Sequence, residues 1–338
     1  MTVDRPPVGL VLGTALPPWQ IQQMARLGEE LGFGELWLGE DYFFTGGIAG
    51  ATAILGATSR IPVGLGIVSA LVRHPALLAM EISTLEHMYP GRVRPGIGLG
   101  VPGWVDQMRL MPRSQLRAMR ECVSSLRRLL DGEELTEDGE TFSFVNVKLT
   151  YPVQTHVPIA MGVLGPRMLR LSGEIADGTV GSIFASTAYV RWARERIAEG
   201  MAAAGRNGHH RLSVFALYAL DSDAKRAKDA LRSLMAFYLA AVPKSSLTDV
   251  YGIGDELLEL ASGGAERIVR EMPEQWLDDL VIAGDADECA AKIDALLDAG
   301  ADSVSLFPSP PERAEEVLRQ TADEVFPRLR SGRLRLAS

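Results

Sequence analysis

The chain has 338 residues, 47% hydrophobic and 23% charged, a balance that excludes disordered and fibrous classes and fits a globular enzyme whose core needs no staples. Its net charge of −9 argues against nucleic acid as the main partner, because a phosphate backbone calls for a basic face. No run approaches 18 uncharged apolar residues, so no membrane span is expected.

Strand-like and helix-like segments alternate along the chain. Strand 8–13 leads into a helix with Pro17 near its start and apolar residues at Ile21, Met24 and Leu31. Strand 35–41 is followed by a helix through AGATAILGATS. Strand 61–68 is followed by a helix that opens after Pro75 and repeats at Leu78, Ile82 and Leu85. Strand 92–100 precedes a long helix with Leu116, Met119, Val123, Leu126 and Leu130 on one face. Residues 133–157 break the rhythm: Asp138 and Gly139 between β-rich flanks predict a surface hairpin. Strands 157–163, 177–184 and 211–220 follow, the first two each trailed by a helix. A helical insertion at about 223–280 precedes a closing helix with Cys289, Ile293, Leu296 and Leu297, a strand at 301–308 and a last helix from Pro311.

Eight strands alternating with eight helices predict an α/β fold with a parallel sheet and right-handed crossovers. Eight repeats favour closure into a (β/α)8 TIM barrel, here as one domain over 1–338. Cys122 and Cys289 both fall at helical apolar spacing, which predicts buried thiols and a reducing, cytoplasmic setting. The N-terminus lacks the basic and apolar regions of a signal peptide. The basic tail Arg328, Arg330, Arg333, Arg335 reads as a solvated end.

Several segments bear on chemistry. Gly98, Gly100 and Gly103 match G-x-G-x-x-G, yet they follow the fourth strand and lead into Pro102 and Trp104 rather than directly into a helix. A dinucleotide fingerprint is therefore disfavoured, and a strand end that lets a flat ligand approach is preferred. Gly165 and Pro166 stand at a helix start, where free N–H groups form an anion site; Arg167 either adds charge there or is an exposed helix-face arginine. Glu40, Asp41 and Tyr42 end the second strand, where carboxylates in a barrel read as site residues. Trp104, Met108 and Met111 form either an apolar wall for a hydrophobic substrate or a packed loop. His74 reads as a helix cap or packing residue, and His209 and His210 as solvated turn residues. No histidine, cysteine and carboxylate cluster has metal spacing, so no metal is expected.

The segments GLGIVSALVRHPALLAMEISTLEHMYPGRVRPGIGLG, GPRMLRLSGEIADGTVG and AGDADECAAKIDALLDAGADSVSLFP resemble the luciferase-like family of flavin- and deazaflavin-dependent oxidoreductases. Within it the chain is most similar to the branch of methylenetetrahydromethanopterin reductase, whose members use coenzyme F420. The resemblance runs from about residue 8 to 329 and implies several site residues. Gly66 and Ile67 match a cis peptide whose bulge backs the deazaflavin ring, with Val68 and Ser69 following it. Gly162, Leu164, Gly165 and Pro166 match one phosphate loop, and Gly181 and Ser182 a second. Many relatives carry Asp-His where Glu40 and Asp41 stand, so Glu40 would touch the cofactor and Asp41 would be the first candidate for proton transfer. Sugar-phosphate dehydrogenases of the family carry an acidic residue at the place of Val101, which argues against that reaction here. Val101, Tyr42, Trp104 and Met108 then form the expected substrate pocket.

The resemblance implies hydride transfer between F420 and a small-molecule imine, enone or carbonyl, in a protein expected to be a homodimer. Two alternatives stay open: an FMN-dependent monooxygenase on the same fold, and a cofactor-binding protein without turnover.

Overall fold

A computed structural model describes residues 6–13 and 16–330. Eleven strands occur in chain order: β1 (Val8–Leu12), β2 (Leu36–Leu38), β3 (Val63–Ser69), β4 (Val93–Gly98), β5 (Leu135–Asp138), β6 (Ser143–Val147), β7 (Ala160–Gly162), β8 (Gly178–Gly181), β9 (Arg211–Leu220), β10 (Ile282–Gly284) and β11 (Ser303–Pro308). Eight of them, β1, β2, β3, β4, β7, β8, β9 and β11, pair in parallel in that order, and β11 pairs back onto β1. The sheet is therefore a closed (β/α)8 barrel, as the alternation predicts.

β5 and β6 form the expected antiparallel hairpin outside the barrel. The insertion between β9 and β10 folds into five helices, from Ala224–Ala241 to Glu274–Leu280. β10 is an addition that the sequence pattern does not reveal. It has three residues, too few for a period, and extends the sheet by pairing with Tyr218, Ala219 and Leu220 at the end of β9.

The covering helices form where capping and apolar spacing coincide. Helix Gln115–Leu130 starts at Ser114, whose hydroxyl accepts the Arg117 N–H, and buries Met119, Cys122, Val123, Leu126 and Leu130. Helix Pro75–Met88 starts at His74, whose Nδ1 accepts the Ala76 N–H at 3.2 Å. The His74 ring also packs edge-on against Phe144, so this histidine caps and packs. Cys122 and Cys289 are buried free thiols. Among the described residues no helix is long and apolar enough to cross a membrane.

Inside the barrel, Val11, Trp37, Val180 and Phe215 pack together. Gly64 admits the indole, since a Cβ there would stand 2.1 Å from Trp37. Below them Glu35 is buried and accepts hydrogen bonds from Ser303 Oγ at 2.6 Å and Arg211 Nη2 at 2.9 Å. The floor is thus filled by a hydrogen-bonded polar network around Glu35.

Two expectations need correction. His210 is 3% exposed, not solvated. It sits at the foot of β9, where its Nε2 lies 2.8 Å from Thr179 Oγ1. Burial and the nearby Arg194 and Arg206 push its imidazole down to about 4. His209 does face outward and meets Asp302. The basic tail is also less solvated than its composition suggests. Arg328 pairs with Asp287, and Arg330 with Asp294 and Asp298, on helix Ala286–Asp298. Arg333 and Arg335 lie outside the described residues.

Candidate active site

β3 carries the main irregularity at the open end. Its register against β4 shifts between Leu65 and Val68, and the Gly66–Ile67 peptide is cis. The bulge turns Ile67 towards β4 and β7, and glycines make room for it. A Cβ on Gly162 would lie 2.3 Å from Ile67 Cγ2, and one on Gly98 would lie 2.8 Å from Ile67 Cδ1. Gly66 has its own constraint: a Cβ there would meet the Phe215 ring at 2.8 Å. This accounts for the G-x-G-x-x-G pattern without a dinucleotide. Gly98 seats Ile67, Gly100 turns the chain at φ 85°, and Gly103 lies in the short helix Pro102–Gln107.

A cavity of about 220 Å³ opens above this bulge. Asp41, Gly66, Val101, Leu164 and Ser182, all singled out in the sequence, line it together. They come from the ends of five different strands, the usual way a barrel assembles a site. Phe215 and Phe307, part of the barrel interior, also contribute. Tyr238, Val242 and Leu247 come from the inserted helices.

Glu40 is placed differently from an acid awaiting a proton. Arg73 donates from Nη1 to Glu40 Oε2 at 2.7 Å and from Nη2 to Oε1 at 2.6 Å. The Gly47 N–H at the start of helix Gly47–Ala57 donates to the same Oε1 at 2.8 Å. Both oxygens of this buried carboxylate are thus engaged in a bidentate pair. Arg73 Nε also faces Glu81 at 3.5 Å. The hydrogen bonds from Arg73 to Glu40 raise the guanidinium pKa, and burial raises that of Glu81. Glu40 therefore ties Arg73 and the start of helix Gly47–Ala57 to the loop that carries Asp41.

Tyr42 is buried beside Ser69, and burial raises its hydroxyl above the ordinary phenol range. The hydroxyl has no hydrogen-bond partner of good geometry among the described residues. The Tyr42 ring meets Trp104 at 6.5 Å, and Trp104 meets Phe44 at the same separation. Ser69 donates to the Leu99 carbonyl at 3.0 Å and accepts from the Leu71 N–H, tying β3 to the loop after β4.

Other expected residues are set back from the cavity. The Val68 side chain is fully buried and faces helix Gly47–Ala57, since a Cβ on Gly47 would lie 2.9 Å from its Cγ1. A contribution from Val68 would have to come from its backbone. Gly181 is held by close packing on Val214, and Met108 ends the short helix without lining the cavity. At the phosphate loop, Gly165 is the N-cap of helix Pro166–Ile175, no side chain caps it, and Pro166 is its first residue. Tyr189 anchors this loop by donating to the Leu164 carbonyl at 2.9 Å. Arg167 is exposed at the helix start.

Sequence reasoning missed one contributor. Arg73 stood within the quoted third-strand segment, but its partner Glu40 lies 33 positions away.

A closed parallel barrel with a cavity at the C-terminal ends of its strands has the architecture of the (β/α)8 enzymes, which build their sites at that end. The sequence profile of the luciferase-like monooxygenases matches residues 4–303, and the chain belongs to that family. It is 30% identical over 292 residues to a 5,10-methylenetetrahydromethanopterin reductase of Methanolobus tindarius, covering 84% of this chain and 88% of that protein. It is 28% identical over 334 residues to an F420-dependent glucose-6-phosphate dehydrogenase of Nakamurella multipartita, covering 93% of each. Among solved structures, the coenzyme F420 dependent tetrahydromethanopterin reductase of Methanopyrus kandleri has a TM-score of 0.84 at 24% identity, covering 97% of this chain and 100% of that one.

Proposed function

We propose that this protein is an F420-dependent oxidoreductase that moves a hydride between the deazaflavin and an organic carbonyl, imine or enone. One observation carries the reading: a single cavity joins the Gly66 bulge to Leu164 and Ser182 on the two loops expected to hold phosphate. A flat ring fits over the Gly66–Ile67 bulge, and the uncapped N–H groups of Gly165 and Arg167, on either side of Pro166, suit the anionic tail. When bound, F420 supplies the two-electron chemistry.

The chain supplies the rest. The Gly66–Ile67 bulge, braced by Gly98 and Gly162, supports one face of the ring. The Glu40–Arg73 pair fixes the loop after β2, so that Asp41 stands at the cavity wall. Asp41 exchanges the proton that accompanies the hydride. The inserted helices add Tyr238 and Val242 to the cavity wall. The protein is further read as cytoplasmic and as a homodimer. An apolar groove of about 690 Å³ between helix Pro75–Met88 and residues 147–151 supports a second copy as its cover, which a sedimentation measurement checks.

The test is anaerobic mixing with reduced F420 and a panel of carbonyls, imines and enones, followed through the return of oxidised F420 absorbance. Turnover with at least one class is expected. Oxygen consumption with reduced FMN and no F420 oxidation would favour the monooxygenase alternative instead. F420 binding without turnover of any class would favour the non-catalytic one.

A further inference from the structure

We propose that the substrate is an uncharged molecule with an apolar, ring-bearing body, held by an aromatic rim formed by Phe43, Phe44 and Trp104. This deepens, and rests on, the oxidoreductase reading of the same site. Phe43 and Phe44 are 68% and 62% exposed and stand two and three positions after Asp41, which lines the cavity. Trp104 follows Val101, another lining residue, and its ring contacts both Tyr42 and Phe44. Scattered single apolar residues are ordinary on a surface, but clustered aromatics at the mouth of a cavity mark a binding surface.

The cavity itself has the same character. Among the described residues no lysine or arginine lines it, and the nearby Arg73 is committed to Glu40 and Glu81. Two of the hydroxyls at its wall are spent on local structure. Ser245 and Thr248 bond to each other and to the backbone as the capping box of helix Ser246–Tyr251, which leaves mainly carbon facing the ligand. Away from the helix start at Gly165, which the anionic tail of F420 takes, a phosphate or carboxylate on the substrate would lose its hydration with no cation to replace it. A phenyl or fused ring, by contrast, finds aromatic faces to cover.

The test is equilibrium binding, read by intrinsic tryptophan fluorescence and calorimetry, with and without F420. The probes are cyclohexanone, 4-phenylcyclohexanone, the same phenyl ketone bearing a ring carboxylate, and glucose 6-phosphate. A phenyl group burying on the order of 60 Å² at about 25 cal/mol per Å² corresponds to about ten-fold tighter binding. The expected order is the phenyl ketone at least ten-fold tighter than cyclohexanone, and the carboxylated analogue at least ten-fold weaker than the phenyl ketone. In Phe44→Ala and Trp104→Ala the gap between the phenyl ketone and cyclohexanone should shrink below about three-fold. Equal affinities, an unchanged gap in both variants, or preference for the carboxylate or glucose 6-phosphate would overturn the inference. Selective binding of the phenyl ketone by a protein that does not bind F420 would instead leave it standing and remove the cofactor reading.

Discussion

Replacing Gly162 by alanine tests whether the third-strand bulge governs cofactor binding. The new methyl would stand 2.3 Å from Ile67 Cγ2, whereas carbon atoms rest at roughly 3.5–4.0 Å. Ile67 must yield by more than an ångström, and overpacking of this kind costs about 1–3 kcal/mol. Because Ile67 sits beside Gly66 in the β3 bulge, its movement is passed to the surface on which the ring lies. F420 affinity of Gly162→Ala, read by quenching of F420 fluorescence, should fall about ten-fold or more, with urea denaturation recorded alongside. Combining it with Ile67→Ala removes the colliding atom. The double variant should then bind F420 more tightly than Gly162→Ala alone, with a coupling of about 1 kcal/mol or more. Wild-type affinity in Gly162→Ala, or purely additive losses in the double variant, would refute the idea that Gly162 acts through Ile67.

Three further outcomes are expected. Asp41→Asn should lower turnover by about 10²–10⁴-fold while F420 binding changes little; unchanged turnover would remove Asp41 from proton transfer. Arg73→Met leaves the buried Glu40 carboxylate without its cation and should destabilise the fold by about 3 kcal/mol, with part recovered in Glu40→Gln/Arg73→Met, as urea denaturation would show. His210 is held down to about 4 from the ordinary 6.5, so the unfolded chain binds its proton first as pH falls. Its contribution is therefore complete above pH 6.5 and is lost progressively between 6.5 and 4, by about 3 kcal/mol. His210→Gln should flatten that part of the stability–pH curve.

Much of the fold was legible because its signals are local. Alternating apolar strands and amphipathic helices each declare themselves within a dozen residues, as the Met119, Cys122, Val123 and Leu126 face does. β10 was not legible because three residues carry no period and its place depends on β9. The site was legible in part. Asp41, Val101 and Ser182 stand at or just past strand ends, and a barrel brings such positions together. The state of Glu40 was hidden because it depends on Arg73 in another loop and on the Gly47 N–H at a helix start. The glycine at 98 was read as room for a ligand, whereas it makes room for Ile67, as Gly162 also does; sequence shows that a side chain is missing but not what fills its place. His210 was misjudged for the same reason, since its cover comes from Thr179 and the surrounding core.

The central claim is that the barrel mouth is an F420 site. Parallel equilibrium titrations of the purified protein with F420 and with FMN test it most directly. Saturable one-site binding of F420, at least ten-fold tighter than that of FMN and weakened by Gly162→Ala, is predicted. Tighter binding of FMN, or no binding of F420, would contradict it.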